Sequence, residues 1–378
     1  MNILFITPSE VQPLNGGIER TTLALSRQLR DEYGYSCRFM NLVEGCSQEQ
    51  IEEEIQSQHI EIILAQGADK RIANLLPLLR TIIDKKNWRI FLLFVFHSNP
   101  GVELATMDYG ALWYSIFHKI NVKASFRQLG WQLIKPIVEA RMIKHLKKKY
   151  RVPYDYADKI VLLSDRFIPE FQFFSGGERS RFCAIPNMLP LAETDCILTE
   201  KKKMVLLVSR MEERQKRIKL ALQIWDRIPE KDWQLKIVGA GDDINYFQHL
   251  AKKWHLENVS FEGRQNPIPY YQQASIFMMT SAFEGLPMTI LEAQQNECVP
   301  VVFNTFASLP DVVSNGRNGF VIPEGDIDQY VARLAQLMND EVLRNQMAKN
   351  ALRDCQRFAP QKVAEQWNNL FNELVNQA

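Results

Sequence analysis

Short apolar runs that alternate with helical patterns, in two separate sets, restrict this chain more than any other feature. Runs at residues 2–7, 36–42, 60–65, 89–96 and 159–164 alternate with helix-like stretches such as 19–31. A second set at 203–208, 234–238, 260–261, 275–279 and 299–303 does the same. Strands separated by helices form parallel sheets covered on both faces, so the fold class is α/β. Two Rossmann-like halves are predicted, over residues 1–190 and 200–357, joined where Pro186 to Pro190 and the polar stretch 193–203 interrupt the pattern. The tail, 358–378, is an amphipathic helix. No internal repeat of 20–50 residues is visible, and two similar folds need not share sequence. Apolar residues make up 46% and charged residues 24%, ordinary values for a globular protein. No run reaches the roughly 18 apolar residues of a membrane span. The start, Met1-Asn-Ile-Leu-Phe-Ile-Thr7, has neither a charged leader nor a small-residue cleavage site and reads as a first strand. The six cysteines (37, 46, 183, 196, 298, 355) form no Cys-x-x-Cys pair and read as core residues in a reducing compartment.

The stretch with most chemistry is Thr280-Ser-Ala-Phe-Glu284-Gly285-Leu286-Pro287-Met288-Thr289-Ile-Leu-Glu292-Ala293. It follows the buried run 274–279, and Pro287 suits the first helical position because its missing N–H is not needed there. The turn therefore sits at a strand's C-terminal end, where open parallel sheets bind ligands and a helix start offers N–H groups to an anion. Glu284 lies in the turn and Glu292 in the second helical turn, near enough to the same crevice to accept hydrogen bonds from hydroxyls. Glu-x7-Glu alone is common in helical proteins; the Phe-Glu-Gly-Leu-Pro context is not.

Those residues resemble the signature of the family-four retaining glycosyltransferases. The resemblance implies the GT-B fold, two Rossmann-like domains facing across a cleft, with the final helix crossing back to the first domain. It places Glu284 beside the donor sugar and Glu292 on the nucleotide's ribose hydroxyls. Gly285, Leu286, Met288 and Thr289 would line the same turn.

Earlier in the chain, Pro13-Leu-Asn-Gly16-Gly17-Ile18-Glu19-Arg20 falls between the first strand and first helix, and its glycines let backbone approach a ligand. The family has a similar loop there. His97, in Phe96-His97-Ser98-Asn99-Pro100, follows the strand 89–96. A lone histidine is more often structural, but the family has a histidine after this strand that reaches the donor sugar. Residues 119–151 carry ten bases against one acid, Glu139, or +9, which leaves −8 on the rest of a chain of net charge +1. Leu129, Leu133, Ile137, Met142, Ile143 and Leu146 recur among them, an amphipathic basic pattern expected to break at Pro136. Charge alone fits a solvated helix face, a nucleic-acid patch or an anionic membrane. Because many relatives use lipid-linked acceptors, residues 111–151 are assigned to the membrane surface and nucleic acid is not expected.

In the second half, Ser209-Arg210-Met211 follows a strand and Lys216-Arg217 begins the next helix. The resemblance makes Arg210 and Lys216 the diphosphate-binding pair, a guanidinium fork and a point charge that neutralise the leaving group in place of a metal. Arg217 stands where many relatives have glycine. Val238-Gly239-Ala-Gly241-Asp242 closes a strand near the same edge, and Phe261-Glu262-Gly263-Arg264 resembles the loop around the nucleotide base; Gly239 and Arg264 are taken as nucleotide-sugar ligands. The one Asp-x-Asp, Asp326-Ile-Asp328, opens a helix at 329–338, where Asp is an N-cap rather than a metal ligand.

The expected reaction is retaining, metal-independent transfer of a hexose-type sugar from a nucleotide-diphosphate sugar, most simply a UDP-sugar, to a glycan or lipid-linked acceptor in cell-surface polysaccharide synthesis. Catalytic roles go to His97, Glu284, Arg210 and Lys216. No cofactor or metal is expected. The location is cytoplasmic, peripheral on the inner face of the membrane. A sugar-nucleotide epimerase or sugar phosphorylase of the same fold, and a non-catalytic peripheral membrane protein, are the rival readings.

Overall fold

The computed structural model describes residues 1–11, 17–41, 47–67, 70–105, 124–189, 200–230 and 232–377, and side chains throughout these except at 70, 105, 124–134 and 377. By contacts the chain divides into two units, one of Met1–Val11 and Tyr35–Ala184, the other of Gln12–Gly34 and Ile185–Ala378.

The first unit is built on six parallel strands: β1 (Asn2–Thr7), β2 (Ser36–Asn41), β3 (Ile62–Gln66), β4 (Phe91–Phe96), β5 (Lys159–Leu162) and β6 (Phe182–Ala184), in the order β2-β1-β3-β4-β5-β6. β3 is buried along its whole length and β4 nearly so, as strands covered on both faces must be. The basic segment is one helix, Ala124–Tyr156, running through Pro136 and Pro153, so the expected break at Pro136 does not occur. A proline removes one backbone hydrogen bond, and the helix keeps its course because it packs against the helices Lys70–Lys86 and Ile168–Ser175. Leu146 and Tyr150 anchor it, the Tyr150 ring lying 5.7 Å from Phe96 and 4.8 Å from Phe171. Residues 111–123 of this segment lie outside the described residues.

The second unit repeats the architecture with β7 (Lys202–Val208), β8 (Gln234–Val238), β9 (Val259–Gly263), β10 (Ala274–Met279), β11 (Val299–Phe303) and β12 (Phe320–Ile322), all parallel, in the order β12-β11-β10-β7-β8-β9. On one face of its sheet, Val205, Ile237 and Ile276 from the strands meet Ile218, Phe247, Tyr330 and Leu334 from the helices. The first helix, Gly17–Tyr33, and the last, Pro360–Gln377, pack on each other, and both fall in this unit. The linker's start is ordered by burial of Met188 and Leu189 and by a hydrogen bond from Leu189 N–H to the Phe358 carbonyl, 2.8 Å.

Sequence reading did not find β6 and β12. Each has three residues at a sheet edge, too few for an apolar run to register.

Candidate functional site

Strand order in the second sheet fixes where a ligand site is expected. The chain leaves β7 for β8 and β9 on one side and returns to place β10 on the other, so the direction of winding reverses between β7 and β10. Loops leaving those two neighbours diverge to opposite faces and open a crevice at the strands' C-terminal ends. The Arg210–Lys216 loop leaves β7 and the Glu284–Glu292 turn leaves β10. Arg210, Lys216, Glu284 and Glu292 therefore converge on the switch point, whereas Gly239 and Arg264 follow β8 and β9.

Hydrogen bonds tie the two loops together. After β7 the chain makes a short helix, Glu213–Lys216, then passes Arg217 at φ 51° and ψ 48° into the helix Ile218–Asp226. Glycine adopts that left-handed conformation without strain, and an arginine does so at a small cost. The Thr280 hydroxyl donates toward the carbonyls of Lys216 (2.9 Å) and Arg217 (3.0 Å). Ala282 N–H donates to the Gln215 carbonyl (2.7 Å), and the Gln215 amide donates to the Phe283 carbonyl (3.2 Å). Arg210 in turn donates to the Gln215 side chain at 2.7 Å while its guanidinium stays 69% exposed.

The two glutamates are held differently. Lys216 Nζ lies 2.6 Å from Glu284 Oε1, with the two side chains 13% and 11% exposed. Glu292, on the helix Met288–Gln295, is buried and accepts from two directions. Tyr271 O–H donates to Oε2 at 3.0 Å, and the Arg20 guanidinium donates to Oε1. Burial, and next the nearby Glu292 charge, push the Tyr271 phenol well above its ordinary range, so it stays a donor. Leu286 is buried beneath the turn, Gly285, Met288 and Thr289 are half-buried, and Pro287 is the N-cap of the helix rather than its first residue.

The remaining sequence-predicted residues divide. A Cβ on Gly239 would meet the Ser209 carbonyl oxygen at 1.8 Å, and one on Gly241 the Met211 carbonyl oxygen at 2.5 Å. Glycines there let the end of β8 lie directly on the backbone that carries Arg210, a packing reason for a residue assigned to the ligand. Arg264 is exposed after β9. Beside it the Glu262 carboxylate is held below its usual range chiefly by the Ser260 hydroxyl at 2.7 Å, with Lys236 at 2.9 Å. His97 follows β4 in the first unit and is half-buried; Gly17 opens the first helix; Gly16 lies outside the described residues. Asp326 caps the helix Ile327–Asn339 through the Gln329 N–H at 2.9 Å, and Asp328 pairs with Arg227. Among the described residues no three His, Cys, Asp or Glu side chains are grouped to hold a metal.

Sequence pattern gives no sign of Tyr271 or Gln215, and it marks Arg20 and Thr280 only as the ends of their stretches. An aromatic residue in the six-residue helix Ile268–Gln273 reads as ordinary core, and nothing in its spacing points across to Glu292.

Residues 196–354 match the family described as glycosyl transferases group 1, a span that holds Arg210, Lys216, Glu284 and Glu292 but neither His97 nor the glycine loop. The chain is 26% identical over 227 residues to an amylovoran biosynthesis glycosyltransferase of Erwinia amylovora, covering 58% of this chain and 63% of that one. It is 33% identical over 153 residues to a lipopolysaccharide 1,6-galactosyltransferase of Salmonella typhimurium, covering 38% and 42% of the two chains. The match thus spans less than two thirds of the length of these relatives. The structure of HepE from Anabaena, solved with UDP and glucose, superposes with a TM-score of 0.70 at 15% identity, over 99% of this chain and 100% of that one. That likeness shows the fold, GT-B.

Proposed function

We propose, for a chain whose residues 196–354 belong to the glycosyl transferases group 1 family, that it moves a hexose-type sugar from a nucleotide-diphosphate sugar to a glycan or lipid-linked acceptor in bacterial cell-surface polysaccharide synthesis. The observation that carries this reading is the contact of Lys216 with Glu284 at the switch point between β7 and β10. A cation suited to phosphate and a carboxylate suited to sugar hydroxyls stand side by side, as the two ends of a sugar diphosphate require. The lysine ammonium has three donors, so one can serve Glu284 while the others face phosphate oxygens. Arg210, exposed and steered by Gln215, adds a fork for the same diphosphate.

Similarity to an amylovoran biosynthesis glycosyltransferase and a lipopolysaccharide galactosyltransferase supports a polysaccharide role, and UDP is the nucleotide in the HepE complex. Transfer is proposed to proceed with retention: the acceptor hydroxyl approaches from the leaving group's side and a phosphate oxygen takes its proton. The protein then supplies positioning and charge neutralisation through Lys216, Arg210 and the start of the helix Met288–Gln295, and Glu284 steadies positive character at the anomeric carbon. On this reading two cations replace a metal. The family resemblance alone assigns His97, Gly16 and Gly17 to the donor sugar.

The basic helix is proposed to face anionic lipid. Ile137, Arg141, Lys144, Lys148 and Arg151 recur at helical spacing on the exposed side, opposite buried Leu146 and Tyr150. Exposed Phe173 lies beside them, with the Lys147 ammonium 5.0 Å from its ring centroid. No helix among the described residues is long and apolar enough to cross a membrane, so contact of this kind would be peripheral.

Calorimetry tests the donor site. UDP or GDP should bind the parent protein in the presence of a chelator, and Lys216→Ala should weaken that binding at least tenfold, as loss of a charge-assisted contact does. Affinity that appears only with added Mg²⁺ or Mn²⁺ would refute the assignment of Arg210 and Lys216.

A further inference from the structure

Glu292 does not choose its own orientation. Its carboxylate is about nine-tenths buried, and the one donor on it that is fully buried is the Tyr271 phenol, 1% exposed. Arg20, its other partner, has a side chain 42% exposed. A carboxylate offers about four lone-pair sites, and these two donors occupy one on each oxygen. Two remain, one per oxygen, in the arrangement that a pair of neighbouring hydroxyls can fill.

Tyr271 itself is braced from behind. The Lys201 ammonium donates to the carbonyls of Tyr271 (3.1 Å), Ala274 (2.9 Å) and Asn296. Asn296 donates through its amide to the Glu292 carbonyl at 2.9 Å. One cation thus staples the C-terminal ends of the helices Ile268–Gln273 and Met288–Gln295, which carry Tyr271 and Glu292, where helix carbonyls lack intrahelical partners. Cys298, wholly buried, has its sulfur 3.0 Å from the Tyr271 carbonyl; burial raises its thiol to about 11, so it stays a neutral S–H donor.

We propose that Tyr271 is a positioning residue of the donor site: it clamps Glu292 Oε2 so that the carboxylate's open lone pairs face the nucleotide's 2′- and 3′-hydroxyls, with Lys201 as the brace behind the clamp. This rests on the reading of Glu292 as the ribose ligand and adds to it the residue that aims the carboxylate. Burial of a polar phenol needs a partner in any case, so the test must read aim and not only stability.

The measurement is the affinity of UDP and GDP, and of their 2′-deoxy forms, for the parent, Tyr271→Phe, Glu292→Gln and the double variant. Phenylalanine keeps the ring and its contact with Phe277, centroids 6.0 Å apart, so the single variant is expected to fold. The parent should prefer the ribose form about tenfold, the worth of one hydrogen bond to a charged group. In Tyr271→Phe that preference should fall to about twofold, and in the Glu292→Gln background Tyr271→Phe should change little more. Undiminished ribose preference in Tyr271→Phe overturns the clamp while leaving the donor site standing. A Tyr271→Phe protein that does not fold makes the residue structural and also overturns it. Absence of nucleotide binding by the parent removes the donor-site reading, and the clamp with it.

Discussion

Glu284 and Glu292 lie eight positions apart, yet their partners give them different tasks. On the proposed reading Glu284, held by the Lys216 ammonium, stands beside the sugar where positive charge develops. Glu292 is held by a phenol and a guanidinium, which suits the proposed part of a stationary acceptor. Glu284→Gln should therefore lower turnover more than donor affinity, by about 2–4 kcal/mol of transition-state stabilisation, whereas Glu292→Gln should mainly raise the donor KM. Steady-state kinetics with circular dichroism as a folding control decides between this and a purely structural pair, for which both variants would unfold or keep parental turnover. Gly239 makes a stability prediction. Its φ of 140° and the 1.8 Å approach of the Ser209 carbonyl oxygen leave no place for a methyl group, so Gly239→Ala should cost about 2–4 kcal/mol in thermal unfolding. The position of the glutamates and of Arg210 and Lys216 beyond strand ends was legible because a strand, a turn and a helix start frame them in the sequence, while the roles given to them come from the family resemblance. Tyr271 and Gln215 were not, since the contact of Tyr271 joins two helices and that of Gln215 two loops, which no local spacing shows.

At the scale of elements, apolar runs located most strands to within two residues at either end, because parallel strands are buried along their length and leave an unbroken signature. The failures share a cause. β6 and β12 are too short to make a run, and the helix Ala124–Tyr156 crosses a proline whose local cost is offset by packing on two other helices. That helix carries the membrane prediction. Lys149 is unsuited to the test because it pairs with Glu103 at 2.5 Å. Replacing Arg141, Lys144 and Lys148 by glutamine should weaken sedimentation with vesicles containing anionic lipid by about 1 kcal/mol per residue at modest salt. Equal sedimentation of variant and parent, or none by either, removes the lipid surface and leaves the transferase reading in place.

For the whole molecule, two doubly wound parallel sheets could be read from the sequence, and the order within the second sheet could not. It is that order, with β10 beside β7, which joins loops about 70 residues apart into one crevice. On the proposed function this crevice activates a sugar diphosphate by positioning and by two cations, without a metal and with retention. The most direct measurement is proton NMR of the sugar transferred from a UDP-hexose in the presence of a chelator. The proposed reaction gives a product with the donor's anomeric configuration, formed at a rate unchanged by EDTA. An inverted anomeric centre, or turnover that stops when metal is removed, would contradict it.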